Sequence, residues 1–217
     1  MNRNFQAPPV VLNLIIINGL FFMAMGLVQP ARIWLVEHLG LFNPEGPLFH
    51  TWQTVTYMFL HGDFWHLFFN MFALWMFGRT LEHALGSQRF LTYFMACGIG
   101  AALLQMGVGW LEYRHVAAEY GTFAAHALLR IPTVGASGAV FGLLLAFGVL
   151  YPNAVILLMF PPIPMKAKWF VVVYGLIELF LGVSGGQPGV AHFAHVGGML
   201  WGLLLLWWWK RRGIIRF

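Results

Sequence analysis

Pro132-Thr133-Val134-Gly135-Ala136-Ser137-Gly138-Ala139-Val140-Phe141-Gly142 opens the segment that decides how this chain is read. Pro132 and Gly135 disfavour helix before Ser137, and Tyr151-Pro152-Asn153 ends it. The helix predicted over 136–150 has about 15 residues, or roughly 22 Å at 1.5 Å per residue, whereas bilayer hydrocarbon is about 30 Å thick. With its far end at one interface, its first turn lies roughly 8 to 10 Å below the other. Non-helical backbone at that depth must be buried by protein or reached by water, so Thr133-Val134-Gly135 is expected to line a wet cavity with Ser137 at its floor. A second apolar segment, 191–209, carries His195 roughly 8 Å along its axis, a matching depth. A serine hydroxyl becomes a useful nucleophile when a neighbouring base takes its proton. Gly138 and Gly142 on one helix, with Gly198 and Gly202 on the other, permit the close backbone approach that would bring the two side chains together.

The rest of the chain agrees with a membrane setting. It is 60% hydrophobic, 17% aromatic and 9% charged over 217 residues, which excludes an ordinary soluble domain. The fold class read from it is an all-α polytopic membrane protein, a bundle of six transmembrane helices near 10–29, 64–83, 89–111, 136–150, 168–184 and 191–209. Residues 1–217 form one membrane domain in this reading, with no separate soluble domain, because the longest polar intervals are about 30–62 and 112–133. The first span lacks a small-residue cleavage pattern near Gln29-Pro30 and is expected to be a retained helix. Aromatic residues in the first long loop, Trp34, Phe42, Phe49, Trp52 and Tyr57, favour the headgroup zone.

Basic residues set the orientation. Arg3, Arg79, Arg89, Lys166, Lys168, Lys210, Arg211, Arg212 and Arg216 fall on one side of the six-helix layout, and Arg32, Arg114 and Arg130 on the other. Both termini are therefore expected in the cytoplasm, with the site opening to the extracytoplasmic side. The net charge of +5 follows from this bias, and Lys210-Arg211-Arg212 reads as a stop-transfer anchor, not a nucleic-acid patch. Cys97, the sole cysteine, permits no internal disulfide and reads as a packing residue.

A third polar element is Asp63-Phe64-Trp65-His66-Leu67-Phe68-Phe69-Asn70. Asp63 can cap the helix, and His66 and Asn70, one turn apart, share a face near the same end as Ser137. Acyl transfer needs hydrogen-bond donors where negative charge develops, and the backbone N–H of Ser137 at a helix start is a further one.

Together these residues resemble the rhomboid intramembrane serine proteases. Gly135-Ala136-Ser137-Gly138 is similar to the family's nucleophile motif, Ala194-His195-Val196-Gly197-Gly198 with Gly202 to its base motif, and His66 with Asn70 to its oxyanion pair. The resemblance covers nearly the whole chain. It implies a six-helix core with a Ser137/His195 dyad, an oxyanion site of His66, Asn70 and the Ser137 amide, and Phe141 stacked on the base. It also implies membrane-anchored protein substrates, single-pass or otherwise, cut near the outer end of a spanning helix, in a bacterial inner membrane. Segment five and the loop from Ser184 to Gly189 are candidates for a moving gate and cap. Trp52-Gln53 departs from the Trp-Arg pair found in the first loop of many members.

No cofactor, metal or nucleic-acid partner is implied; the macromolecular surroundings are the substrate and the lipid bilayer. Glu178 is assigned no catalytic role, being read as pairing with a polar neighbour or lining the cavity wall. Three other classes compete with the protease reading. A zinc site could draw on His61, His66, His192 and His195, but no His-Glu-x-x-His helix is present, and His61 reads more simply as a loop residue beside the site's mouth. A catalytically inactive relative that binds transmembrane helices would have lost Ser137 or His195, and both are present. A transporter would show repeated halves, which are lacking. Activity is expected to survive chelators and to be lost to a serine-reactive phosphonate, with residual proteolysis as the readout; chelator inactivation reversed by zinc would favour the metal reading instead.

Overall fold

The computed structural model describes residues 8–157, 163–186 and 189–215. In chain order its elements are α1 (Pro9–Leu27), α2 (Gln29–Leu39), α3 (Gln53–Thr56), α4 (Phe64–Ala73), a π-helical turn (Leu74–Gly78), α5 (Arg79–Leu85), α6 (Ser87–Tyr120), α7 (Thr122–Ala125), α8 (Ser137–Leu150), β1 (Val155–Leu157), β2 (Pro164–Lys166), α9 (Ala167–Ser184) and α10 (His192–Arg211). Helix occupies each of the six apolar stretches. Among the described residues, α1, α6 and α9 are each long and apolar enough to cross a membrane, and α8 is a shorter apolar helix. Leu20, Phe69, Leu103, Leu176, Phe180 and Leu203 point outward and are exposed, as expected where lipid is the solvent.

Three local features differ from the sequence reading. The strictly all-α expectation misses a two-stranded antiparallel hairpin, β1 with β2, in the connection between α8 and α9, with Val155 opposite Lys166. The third helix runs on through Tyr120, well beyond 111, for 34 residues or roughly 51 Å. Residues 112–120 are polar, but they hold strong helix formers and an i,i+4 pair, His115 with Glu119 at 3.1 Å, and nothing breaks the helix before Gly121 at φ 88°. The interval after the first span is largely ordered: α2 begins at Gln29 after one extended residue, Val28. Arg3 and Arg216, counted in the orientation argument, and Pro188 of the expected cap lie outside the described residues.

The core is built where α6, α8 and α10 meet. α8 is wrapped on nearly every side: Gly138, Ala139, Val140, Phe141, Gly142, Leu143, Leu144, Ala146 and Gly148 are all buried. Its backbone runs against that of α10, so that a Cβ on Gly198 would collide with the Gly138 carbonyl oxygen. A Cβ on Gly142 would strike Cys97 of α6 and come within 3.1 Å of the Gly198 carbonyl oxygen. Gly202 faces α6 instead, beneath Tyr93 and Cys97. Two tyrosine hydroxyls cross the same seams, Tyr57 donating to the Gly98 carbonyl at 2.8 Å and Tyr93 to that of Gly142 at 3.0 Å. Away from the site, buried Glu82 accepts from the Val10 and Val11 amides at 3.1 and 2.9 Å and from Ser87 Oγ at 2.6 Å, clamping the start of α1 to α5.

Gly198→Ala is expected to destabilise the protein by about 3 kcal/mol, because the added methyl has backbone, not a movable side chain, in its way. Gly19→Ala, where a Cβ meets nothing within 4 Å, serves as the control and should be neutral or slightly stabilising. Thermal unfolding in detergent checks both.

Candidate active site

Helix starts assemble the site. Asp63 caps α4, its Oδ1 accepting from the His66 amide at 2.9 Å, which fixes where the His66 and Asn70 face begins. Ser137 is the first residue of α8, and His195 lies in the first turn of α10, which starts at His192, slightly later than the sequence reading placed it. The two meet across 58 positions, with His195 Nε2 2.8 Å from Ser137 Oγ. The Phe141 ring, one turn below Ser137, lies flat on the His195 imidazole with centroids 4.2 Å apart and an interplanar angle of 7°. Tyr174 of α9 stacks on the other face of this layer, 5.2 Å from Phe141.

His66 is half-buried beside Ser137. Gly135, at φ 126°, passes so close to it that a Cβ there would lie 2.6 Å from His66 Nε2 and 3.8 Å from Ser137 Oγ. A non-glycine residue would therefore be excluded by both backbone conformation and space. Asn70 is buried and donates back to the His66 carbonyl at 2.8 Å, leaving its second amide hydrogen for another acceptor.

The approach to Ser137 is drier at the backbone than the sequence implied. Thr133 exchanges hydrogen bonds with Leu41 at 2.8 and 2.9 Å, and the Gly135 amide donates to Tyr57 at 2.9 Å. Protein therefore satisfies backbone groups that the sequence reading left to water. Pro132 and Val134 do line a cavity of about 430 Å³, together with Gly62, Arg32, Glu37 and Arg130, but neither Ser137 nor His195 is among its lining residues.

Gln53, the departure in the first loop, is wholly buried. Its Oε1 accepts from the His50 and Phe42 amides at 3.1 and 3.4 Å, while its Nε2 donates to the Leu48 carbonyl at 2.8 Å and reaches those of Glu37 and His38 at 3.3 and 3.4 Å. One neutral amide thus ties the loop together at the position where the sequence departs from the Trp-Arg pair.

Glu178, expected to pair with a polar neighbour or line the cavity wall, does pair, and its partners include His195 itself. The sequence offered no reason to set it beside His195, yet its Oε2 lies 2.7 Å from Nδ1 of His195 and 2.7 Å from Nδ1 of His192, all three side chains being buried. The available signal was the face of α9: Ala167, Val171, Gly175, Glu178 and Gly182 follow helical spacing, and the two glycines let α9 approach Met199, Phe193 and His192 of α10. The four-histidine cluster weighed from sequence does not form as such. His61 packs edge-on against His66 at 4.9 Å, and His192 and His195 gather around Glu178. Burial first, and His66 beside it second, push the His61 pKa down to about 3, so it stays neutral next to the site. Glu178, His192 and His195 present donor atoms within 4.8 Å of one another, a composition that metals also use, but the two Nδ1 atoms already pair with Oε2 at hydrogen-bond distance.

Comparison with known proteins places the chain in a family. A rhomboid domain matches residues 48–212. The chain belongs to the rhomboid family. It is 35% identical over 146 residues to Rhomboid protein 1, mitochondrial, of Saccharomyces cerevisiae, covering 67% of this chain and 38% of that protein. It is 32% identical over 157 residues to the rhomboid protease AarA of Providencia stuartii, covering 71% and 54%, and 29% identical over 156 residues to the rhomboid protease GluP of Bacillus subtilis, covering 70% and 24%. The matched region is thus less than two thirds of each of these relatives. Membership makes the chain a polytopic helical membrane protein, consistent with its apolar helices.

Gln53→Ala is expected to cost about 2 kcal/mol or more, since it leaves several buried backbone groups without partners. Thermal unfolding in detergent, together with proteolytic nicking between Leu39 and Tyr57, measures the loss.

Proposed function

We propose that this rhomboid-family protein is an intramembrane serine endopeptidase that cuts membrane-anchored protein substrates with Ser137 as nucleophile and His195 as base. The 2.8 Å contact between Ser137 Oγ and His195 Nε2, under the stacked Phe141 ring, carries the reading. In it, His195 takes the Ser137 proton as Oγ attacks a peptide carbonyl, then returns that proton to the leaving amine, and water releases the acyl group. His66, Asn70 and the Ser137 amide are the donors for the oxyanion. Support for placing His66 beside Ser137 comes from Gly135, where a Cβ would lie 2.6 Å from His66 Nε2 and 3.8 Å from Ser137 Oγ.

Six spans, both termini in the cytoplasm and a site facing the opposite side follow from the lengths of the apolar segments and the basic-residue bias. A substrate helix must unwind at the outer end of its span before a carbonyl becomes available, because helical carbonyls are already hydrogen-bonded. Single-pass proteins with helix-weakening residues there fit this requirement best. The relatives named as rhomboid proteases lend the reaction class its support.

Ser137→Ala and His195→Ala should each abolish cleavage of a model transmembrane substrate while leaving the protein folded. His66→Ala and Asn70→Ala should slow turnover by about 10² to 10³, since each removes one donor of several. Initial rates in detergent and in liposomes test this; near wild-type cleavage by Ser137→Ala sinks the assignment.

A further inference from the structure

We infer that Glu178 is a positioning residue for His195, and that His192 holds it in that role. The inference rests on the proteolytic reading of Ser137 and His195. For His195 to accept the Ser137 hydroxyl proton, Nε2 must present a lone pair, so in the neutral ring the hydrogen sits on Nδ1. Glu178 Oε2, 2.7 Å away, is the acceptor that selects this tautomer.

His192 completes the arrangement. Its Nε2 lies 3.2 Å from the Gly186 carbonyl, which can only accept, so that nitrogen carries a hydrogen. Its Nδ1 lies 2.7 Å from the same Oε2. A hydrogen bond there needs one further proton, placed either on His192 Nδ1, giving an imidazolium–carboxylate pair, or on Glu178, giving a neutral acid and a neutral ring. In both forms the pair has no net charge, which suits a carboxyl buried in an apolar helix. In both, Oε2 still accepts from His195 Nδ1. His192 therefore lets the acid stay buried without fixing an unpaired charge in the membrane.

The same geometry serves the reaction. As Oγ attacks, the Oγ–H bond breaks and an Nε2–H bond forms, and the ring becomes a cation that donates from Nδ1 to Oε2. When the proton passes to the leaving amine, the ring returns to its starting tautomer. Glu178 pairs with His192 and His195, not with Ser137, and acts through the orientation and charge of His195. It also comes from α9, whereas the nucleophile and base come from the locked pair α8 and α10.

Two measurements test the inference. In Glu178→Gln, kcat should fall about tenfold or more with KM for a transmembrane substrate within about twofold. A wild-type kcat overturns the proposal. The second uses the folded Ser137→Ala protein, in which Glu178 is left as the acceptor that sets the His195 tautomer. Nitrogen NMR of labelled histidine, assigned by the signal lost in His195→Gln, should show the Nδ1–H form and a shift toward Nε2–H in Ser137→Ala/Glu178→Gln. An Nε2–H ring in Ser137→Ala itself overturns the proposal even if Glu178→Gln does not fold, and so does a tautomer that the second substitution leaves unchanged. Failure of the proteolytic reading is seen separately, as cleavage that persists in Ser137→Ala, while the tautomer remains readable.

Discussion

The backbone contact between α8 and α10 at Gly138 and Gly198 is the constraint on which the rest depends. Because no side chain stands between the helices there, the positions just before the contact on each strand of the crossing come within hydrogen-bond reach. Ser137 precedes Gly138 directly, and His195 lies one turn before Gly198. A wider crossing would separate Oγ from Nε2 by more than any rotamer could recover. Cys97 and Tyr93 of α6 fill the far side of the glycine face, so the crossing is held from a third direction. Phe141 then covers the imidazole from below, which leaves the ring few orientations other than the one facing Ser137.

Around this crossing, several buried polar groups are satisfied by protein, whereas Asn18 Oδ1, both ring nitrogens of His61 and Gln105 Oε1 are buried without a hydrogen-bond partner among the described residues. Gln53 uses both ends of its amide on five backbone groups, Tyr57 and Tyr93 donate across helix seams, and Glu82 closes the exposed amides at the start of α1. In a bilayer the alternative to such pairing is a polar group facing hydrocarbon, at a cost of several kcal/mol. The same economy governs the site. Glu178 is tolerated because two imidazoles meet it, and Asn70 because the His66 carbonyl takes one of its hydrogens.

The helices differ in how firmly they are held, and this bears on function. α8 is enclosed along its length, whereas buried positions on α9 are confined to Ala167, Val171 and Glu178. Ser137 thus sits on an enclosed helix and Glu178 on a lightly held one. Under the proposed reading, a substrate approaching beside α9 would meet an element whose displacement disturbs few packed side chains.

The sequence by itself determined the apolar helices, the short segment that begins at Ser137, the cap at Asp63, the glycines of the crossing, and the pairing of Ser137 with His195. These are legible because helix periodicity, breakers and segment length act locally, and because two polar residues at matching depths in hydrocarbon have few partners available. The sequence did not reveal that Glu178 would reach His195, that Gln53 would serve as a loop anchor, or that Leu41 and Tyr57 would satisfy the backbone before Ser137. The hairpin between α8 and α9 and the run of α6 to Tyr120 were also hidden. Tertiary structure decided them because each depends on how one helix is rotated and set against another. A stripe such as Gly175, Glu178 and Gly182 tells which face of α9 is used, but the partner that face meets is fixed only when all the helices pack at once.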